Sequence, residues 1–192
     1  MAILSCGSWS PANTIDRSQL LIIFSGYPAT GKTAIARELA RQIGAVYLRI
    51  DSIEQAIRDS ETVEQPLNDA GYCVGYALAE DNLRLGRTVV ADSVNPLSLT
   101  RDAWIAVAHR VQVSAIEIEV QCSDESEHRR RVETRTSDIP GLQLPTWDQV
   151  VAREYQPWNR EHLVIDTAAS DIEHSVRRIQ EKLREYRSHR SL

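Results

Sequence analysis

Apolar residues along this chain recur at two spacings, and the alternation between them lays out the elements. Leu20-Leu-Ile-Ile-Phe24 is an unbroken apolar run, too short for a buried helix and ended by Ser25-Gly26, as in a strand covered on both faces. Further on, Ile35, Leu39 and Ile43, with Ala36 and Ala40 beside them, repeat every three or four residues. They predict a helix that opens at Ala34 and is stopped by Gly44. Four more strands are predicted at 45–50, 88–91, 111–121 and 162–165. Helices are predicted at 52–58 with Ser52 as cap, at 69–85, at 97–110 with Asn95-Pro96 as its start signal, at 124–135, at 147–155 and at 171–187. Asp124 and Glu127 form a D-x-x-E cap for the fourth of these. The polar stretches 60–68 and 136–145, both containing proline, read as loops.

Five strands alternating with helices, without an internal repeat, imply an α/β fold: a parallel sheet with helices on both faces. Ligands of such sheets bind beyond the carboxyl ends of the strands. Residues 26–33, Asp51, Asp92 and Asp166 all follow strand ends and are expected in one cleft.

Composition narrows the class. With 192 residues, 42% apolar and 26% charged, the chain has the content of an ordinary globular protein and the length for one full core. Its 22 basic and 27 acidic residues give a net charge of −5, against a broad nucleic-acid or anionic-membrane surface, so nucleic acid and membrane are not expected partners. Three cysteines (Cys6, Cys73, Cys122), odd in number and widely spaced, suit free thiols. The start lacks a basic region and a long apolar run, and a cytoplasmic location is expected. Residues 1–17 are expected to be a flexible lead-in to a single domain at 18–192.

The sharpest signal is Gly26-Tyr27-Pro28-Ala29-Thr30-Gly31-Lys32-Thr33, a fit to G-x-x-x-x-G-K-[ST] placed between a strand and the helix opening at Ala34. Successive backbone N–H groups of such a loop and the helix N-terminus point at an anion, and glycine removes the Cβ atoms that would block it. Lys32 would reach the β- and γ-phosphates of ATP, and Thr33 would ligate Mg²⁺. The bland alternative is a glycine-rich turn.

Asp51, one strand away, could accept a proton from a substrate hydroxyl and aim its oxygen at the γ-phosphate; it could equally cap the following helix. Asp92 behind Val89-Val90-Ala91 is a second metal candidate, with a simple turn as its alternative. The 124–135 helix carries few apolar residues. Arg131 and Arg135, one turn apart beside the loop 136–145, suit base stacking and phosphate contact, while Glu127 and Arg131 could merely form a surface pair. Tyr72, Cys73, Tyr76 and Glu80 either line an acceptor pocket or pack on the sheet. The histidines, His109, His174 and His189 among them, have no metal-ligand spacing.

From Leu20 to Ala168 the arrangement resembles the P-loop kinases related to adenylate kinase, the AAA-family ATPase-like small kinases that include chloramphenicol phosphotransferase, gluconate kinase and zeta-toxin relatives. The resemblance rests on GYPATGKT, the IDS at Asp51, VVADSVNP, R-V-E-T-R from Arg131 to Arg135 and the HLVIDTA ending. It implies a three-layer P-loop NTPase fold with sheet order 2-3-1-4-5. It implies that Arg131 packs on adenine, that Arg135 sits on a lid near the phosphates, and that Asp166-Thr167-Ala168 borders the base. Two departures stand out: Glu54 occupies the place where polynucleotide kinases of this group have arginine, and gluconate kinase's glycine-histidine-phenylalanine lid motif is missing.

The expectation is therefore an ATP- and Mg²⁺-dependent kinase acting on a small-molecule hydroxyl, with Lys32, Asp51 and Arg135 catalytic, a lid at 124–146, and a monomeric or homodimeric state. Residues 26–34, Arg131, Arg135 and Thr167 would contact the nucleotide, and Thr33 and Asp92 the metal. The alternatives are a nucleotide-binding switch without an acceptor and a polynucleotide 5′-kinase, the latter disfavoured by Glu54 and by the charge.

Overall fold

The computed structural model describes residues 19–60 and 68–188; the lead-in 1–17, most of the loop 60–68, Cys6 and His189 lie outside them. Strand β1 (Leu20–Ser25) leads through the P-loop into α1 (Lys32–Ile43), followed by β2 (Val46–Arg49), α2 (Ile50–Asp59), α3 (Ala70–Arg84), β3 (Val89–Asp92) and α4 (Ser98–Arg110). The chain continues with β4 (Ser114–Gln121), α5 (Glu125–Thr134), α6 (Trp147–Val151), β5 (Leu163–Asp166) and α7 (Ile172–Ser188). The five strands form one parallel sheet in the order β2-β3-β1-β4-β5. This is the three-layer α/β architecture that the spacing and the resemblance predict.

β1 is central and fully buried, which is why its sequence is an apolar run without alternation. Leu20, Ile22 and Phe24 face Ile35 and Leu39 of α1 and Ile179 and Leu183 of α7. Leu21 and Ile23 face Ala79 and Leu83 of α3 and Trp104 and Val107 of α4. Each such side chain contributes about 1.5–3 kcal/mol when fully buried, so β1 is a firmly held base for the loop that follows it. Among the described residues, no helix is long and apolar enough to cross a membrane.

Several boundaries differ from the sequence expectation, each for a tertiary reason. β2 stops at Arg49 and α2 starts at once with Ile50, because Ile50 turns into the core between the sheet and α3. Arg49 is the N-cap of α2, without a side-chain cap, so neither Asp51 nor Ser52 caps that helix. Asn95 is no cap either. It is buried with a left-handed backbone (φ 47°), donates from its amide to the Phe24 carbonyl at 3.0 Å, and accepts from Trp104 Nε1 at 3.1 Å. The first amide of α4, on Ser98, is satisfied by Gln156 Oε1 at 2.9 Å, a partner 58 residues away. That same bond, with Gln156 N donating to the Pro96 carbonyl at 2.8 Å, holds the segment after α6 in an irregular path where the sequence predicts helix through 155. β4 begins three residues late because Val111 closes α4 and Gln112 turns left-handed (φ 58°). Asp124 caps α5 as predicted, accepting from Glu127 N.

Candidate functional site

All five strands point their carboxyl ends at one edge, where the loop 26–31 wraps around the start of α1. Gly26 has φ +133°, and a Cβ there would lie 2.1 Å from the Val120 carbonyl oxygen. Gly31, the N-cap of α1, is left-handed, and the first turn of α1 has no acidic residue to compete for its amides. Gly26→Ala is expected to lower the unfolding free energy by roughly 2–4 kcal/mol, from strain at positive φ and from the clash with β4. Denaturant unfolding with an unchanged midpoint would contradict this.

Lys32 is 6% exposed, with its Nζ 3.5 Å from the Tyr27 carbonyl, a long hydrogen bond that leaves most of its donor capacity unused. Burial pulls the ammonium below its ordinary value, while Asp92 and Asp51 act to keep it charged.

The loop forms one wall of a cleft of about 810 Å³; the others are the start of α2, the end of α5 and the segment after it. Seven cationic side chains and three carboxylates line the cleft, so positive charge is gathered here in a chain whose net charge is −5. Pro28, Ala29, Gly31, Thr33 and Ala34 line it; Gly26, Tyr27 and Thr30 support the loop from behind, with Tyr27 stacked on Tyr155 at 4.6 Å between ring centroids. Asp51 lines the cleft from the first turn of α2 with its nearest cation, Arg49 Nε, 4.0 Å away. Its capping alternative is gone.

Asp92 does not reach the cleft wall. It is the last residue of β3, 2% exposed, and accepts from the Tyr47 hydroxyl at 2.7 Å. Its neighbour Ser93 does line the cleft, buried, beside the Tyr72 hydroxyl. Asp166, expected in the cleft, is outside its lining: its carboxylate accepts from Ser123 N and Ala168 N, both at 3.0 Å, and so fastens the turn after β5. The short strand β5 already contains Asp166, which directs the side chain to these amides.

Thr167 lies behind Gly31, its hydroxyl donating to the Thr30 carbonyl at 2.8 Å. Arg131 donates from Nε to Glu127 at 2.7 Å and from Nη1 and Nη2 to Thr167 at 2.8 and 3.1 Å. Three of its five N–H groups are thereby committed to protein, which fixes the plane of the guanidinium and leaves it suited to stacking. Arg135 is different. It lines the cleft half-buried with Nε unpartnered, and burial lowers its pKa while Asp51 acts to raise it. Arg129 and Arg130 are exposed and paired with Glu133 and Glu127. Of the α3 candidates only Tyr72 lines the cleft; Tyr76 packs edge-on against Trp104, Glu80 pairs with Arg84 and Arg110, and Cys73 is exposed.

Three site residues carry no sequence signal. Asp138, in the loop after α5, bridges Arg37 of α1 at 2.6 Å and Arg49 at the end of β2 at 2.8 Å. Arg49 and Arg37 hold the Asp138 carboxyl down to about 2. Because this pKa is depressed, the bridge's contribution is intact above the ordinary carboxylate range and is lost as pH falls toward about 2. Asp138 is about half exposed, so the bridge is worth at most about 1 kcal/mol per pair and can open.

The AAA domain family matches residues 21–157 of this chain. No curated protein matches it in sequence. Among solved structures it is similar to the Mycobacterium tuberculosis APS kinase CysC in complex with AMPPNP and APS, at 15% identity and TM-score 0.67, covering 87% of this chain and 98% of that one. It is also similar to Chaetomium thermophilum Kti12 in complex with ADP-AlF3, at 20% identity and TM-score 0.63 over 86% and 97% of the two chains. A gluconokinase from Sinorhizobium meliloti 1021 matches at 20% identity and TM-score 0.57 over 86% and 91%. At such identities the likeness speaks for the fold alone.

Proposed function

The chain belongs to the AAA domain family, and from that premise we propose that it is an ATP-dependent kinase that transfers the γ-phosphate to a hydroxyl of a small molecule. The observation that carries this reading is Asp51. It stands on the wall of the cleft that holds Lys32, close enough for its charge to act on the Lys32 ammonium, and it has no capping duty.

In this reading Lys32 and the loop amides bind the triphosphate, and the free face of Arg131 stacks on the base while Arg135 turns its unpartnered Nε to the phosphates. The Thr33 hydroxyl and the Asp92 carboxylate, hard oxygen donors, fit Mg²⁺, which supplies charge neutralisation at the phosphates. Asp92, buried and sharing an oxygen with the Tyr47 hydroxyl, would lend its negative charge to that site from behind the cleft wall. Asp51 orients the acceptor hydroxyl and takes its proton. The segment 124–146, with Arg131, Arg135 and Asp138, forms the lid.

The test is incubation with γ-labelled ATP, Mg²⁺ and a panel of sugars, aminoglycosides and nucleosides. Label in an organic product is the expected result; label appearing only as inorganic phosphate throughout the panel would favour a nucleotide-binding switch. The lid gives a separate expectation. Its ties to Arg37 and Arg49 are weak, so the amides of 136–145 are expected to exchange readily without ligand and to slow at least several-fold with Mg·ATP. Equal hydrogen exchange with and without nucleotide would remove the lid from the mechanism.

A further inference from the structure

Asp51, Glu54 and Arg58 follow one another at three and four residues along α2, and all three line the cleft. The rise of the helix separates Asp51 from Arg58 by about 10 Å, so a ligand lying along this face would present one end to the carboxylate and the other to the guanidinium. Glu54, between them, accepts from Arg58 Nη2 at 3.2 Å. It can sit there because residue 71 is glycine: a Cβ at that position would lie 2.2 Å from Glu54 Cγ. Burial raises the Glu54 carboxyl pKa, and the positive charges of Arg58 and Arg153 counter that rise. Arg153, just beyond α6, lines the same end of the cleft, and among the described residues its guanidinium has no hydrogen bond or ion pair. This end of the cleft thus offers one guanidinium without a partner and a second that spends a single donor on Glu54.

We propose that the acceptor carries an anionic group, a carboxylate, sulfate or phosphate, at the end remote from its reactive hydroxyl, and that Arg58 and Arg153 bind this group. The assignment rests on the kinase reading above, to which it adds the chemistry of the acceptor. Glu54 orients Arg58 and holds it near the wall, and guanidinium forks match all three anions in geometry. A neutral acceptor would leave the free donors of Arg58 and Arg153 to water, and a cationic one would face both arginines.

Two measurements separate this proposal from its premise. The first titrates inorganic sulfate and inorganic phosphate into protein saturated with Mg·AMPPNP, which occupies the P-loop and leaves the acceptor end for the anion. Saturable binding is expected, weakened at least about tenfold by Arg58→Gln and by Arg153→Gln with AMPPNP affinity unchanged. No saturable binding, or equal binding by both variants, overturns the anion site. The second compares transfer from labelled ATP to matched compounds: glucose, glucosamine, gluconate and glucose 6-phosphate, with glycerol, glycerate and glycerol 3-phosphate. Faster transfer to neutral or aminated members than to anionic ones overturns the proposal and leaves the kinase reading standing. Anion binding without transfer to any compound sinks the kinase reading and leaves the anion site in place.

Discussion

Lys32→Ala is expected to weaken Mg·ATP binding or turnover by a factor of about a hundred to a thousand, the size of effect seen when one preorganised charge contact to a reacting group is removed. No other side chain of the loop carries a mobile positive charge, and the nearby arginines have other partners or other positions: Arg131 is committed to Glu127 and Thr167, and Arg37 and Arg49 to Asp138. Stability should change little, since Lys32 has only one long hydrogen bond to lose and its burial already costs the charged form. Removing that desolvated charge even offsets part of the lost packing of its methylenes. Calorimetry would read the nucleotide affinity, and a coupled assay the turnover. Unchanged values for both would show that the loop is a turn with no nucleotide role.

The fold was largely legible because its two main signals are local. A strand buried on both faces has to be a run such as Leu20 to Phe24, and a helix covering one face has to repeat like Ile35, Leu39 and Ile43; each pattern needs only a short window to be seen. The P-loop is likewise a contiguous string. What could not be read is what depends on contacts distant in the chain. The amide at the start of α4 waits for Gln156, Asn95 is drawn inward by Phe24 and Trp104, and Ile50 leaves its strand for the core, so the starts of α2 and α4 differ from the sequence expectation, whereas Asp124 and Gly44, whose roles are local, cap α5 and α1 as expected. The same holds for the cleft. Asp138 finds Arg37 and Arg49 across 101 and 89 residues, and nothing in its local sequence marks it. Asp92 and Asp166 were correctly placed at strand ends, yet a residue at a strand end can turn into the sheet or fasten a turn as readily as it can face the ligand, and they do so toward Tyr47 and toward Ser123 and Ala168.

Asp51→Asn separates the kinase from the switch more sharply than any other change. If the carboxylate takes the proton of the acceptor hydroxyl, asparagine keeps the shape and removes the basicity, and transfer is expected to fall about a hundredfold or more. The usual ambiguity of such a variant is absent here, because Asp51 is neither the N-cap of α2 nor the acceptor of a close hydrogen bond: its nearest cation is 4.0 Å away and its side chain is 42% exposed. Thermal stability should therefore stay near that of the parent, apart from the favourable placing of a negative charge in the first turn of a helix, worth about 0.3–1 kcal/mol. Nucleotide affinity should also hold, since asparagine removes a negative charge near Lys32 and the phosphates and relieves repulsion with them. The measurement is the rate of label transfer to an acceptor found in the screen, for both proteins at saturating Mg·ATP. Full transfer by the asparagine protein takes Asp51 out of the chemistry, and if no acceptor is found while slow hydrolysis is the same in both, the cleft is a nucleotide sensor whose acceptor side binds without reacting.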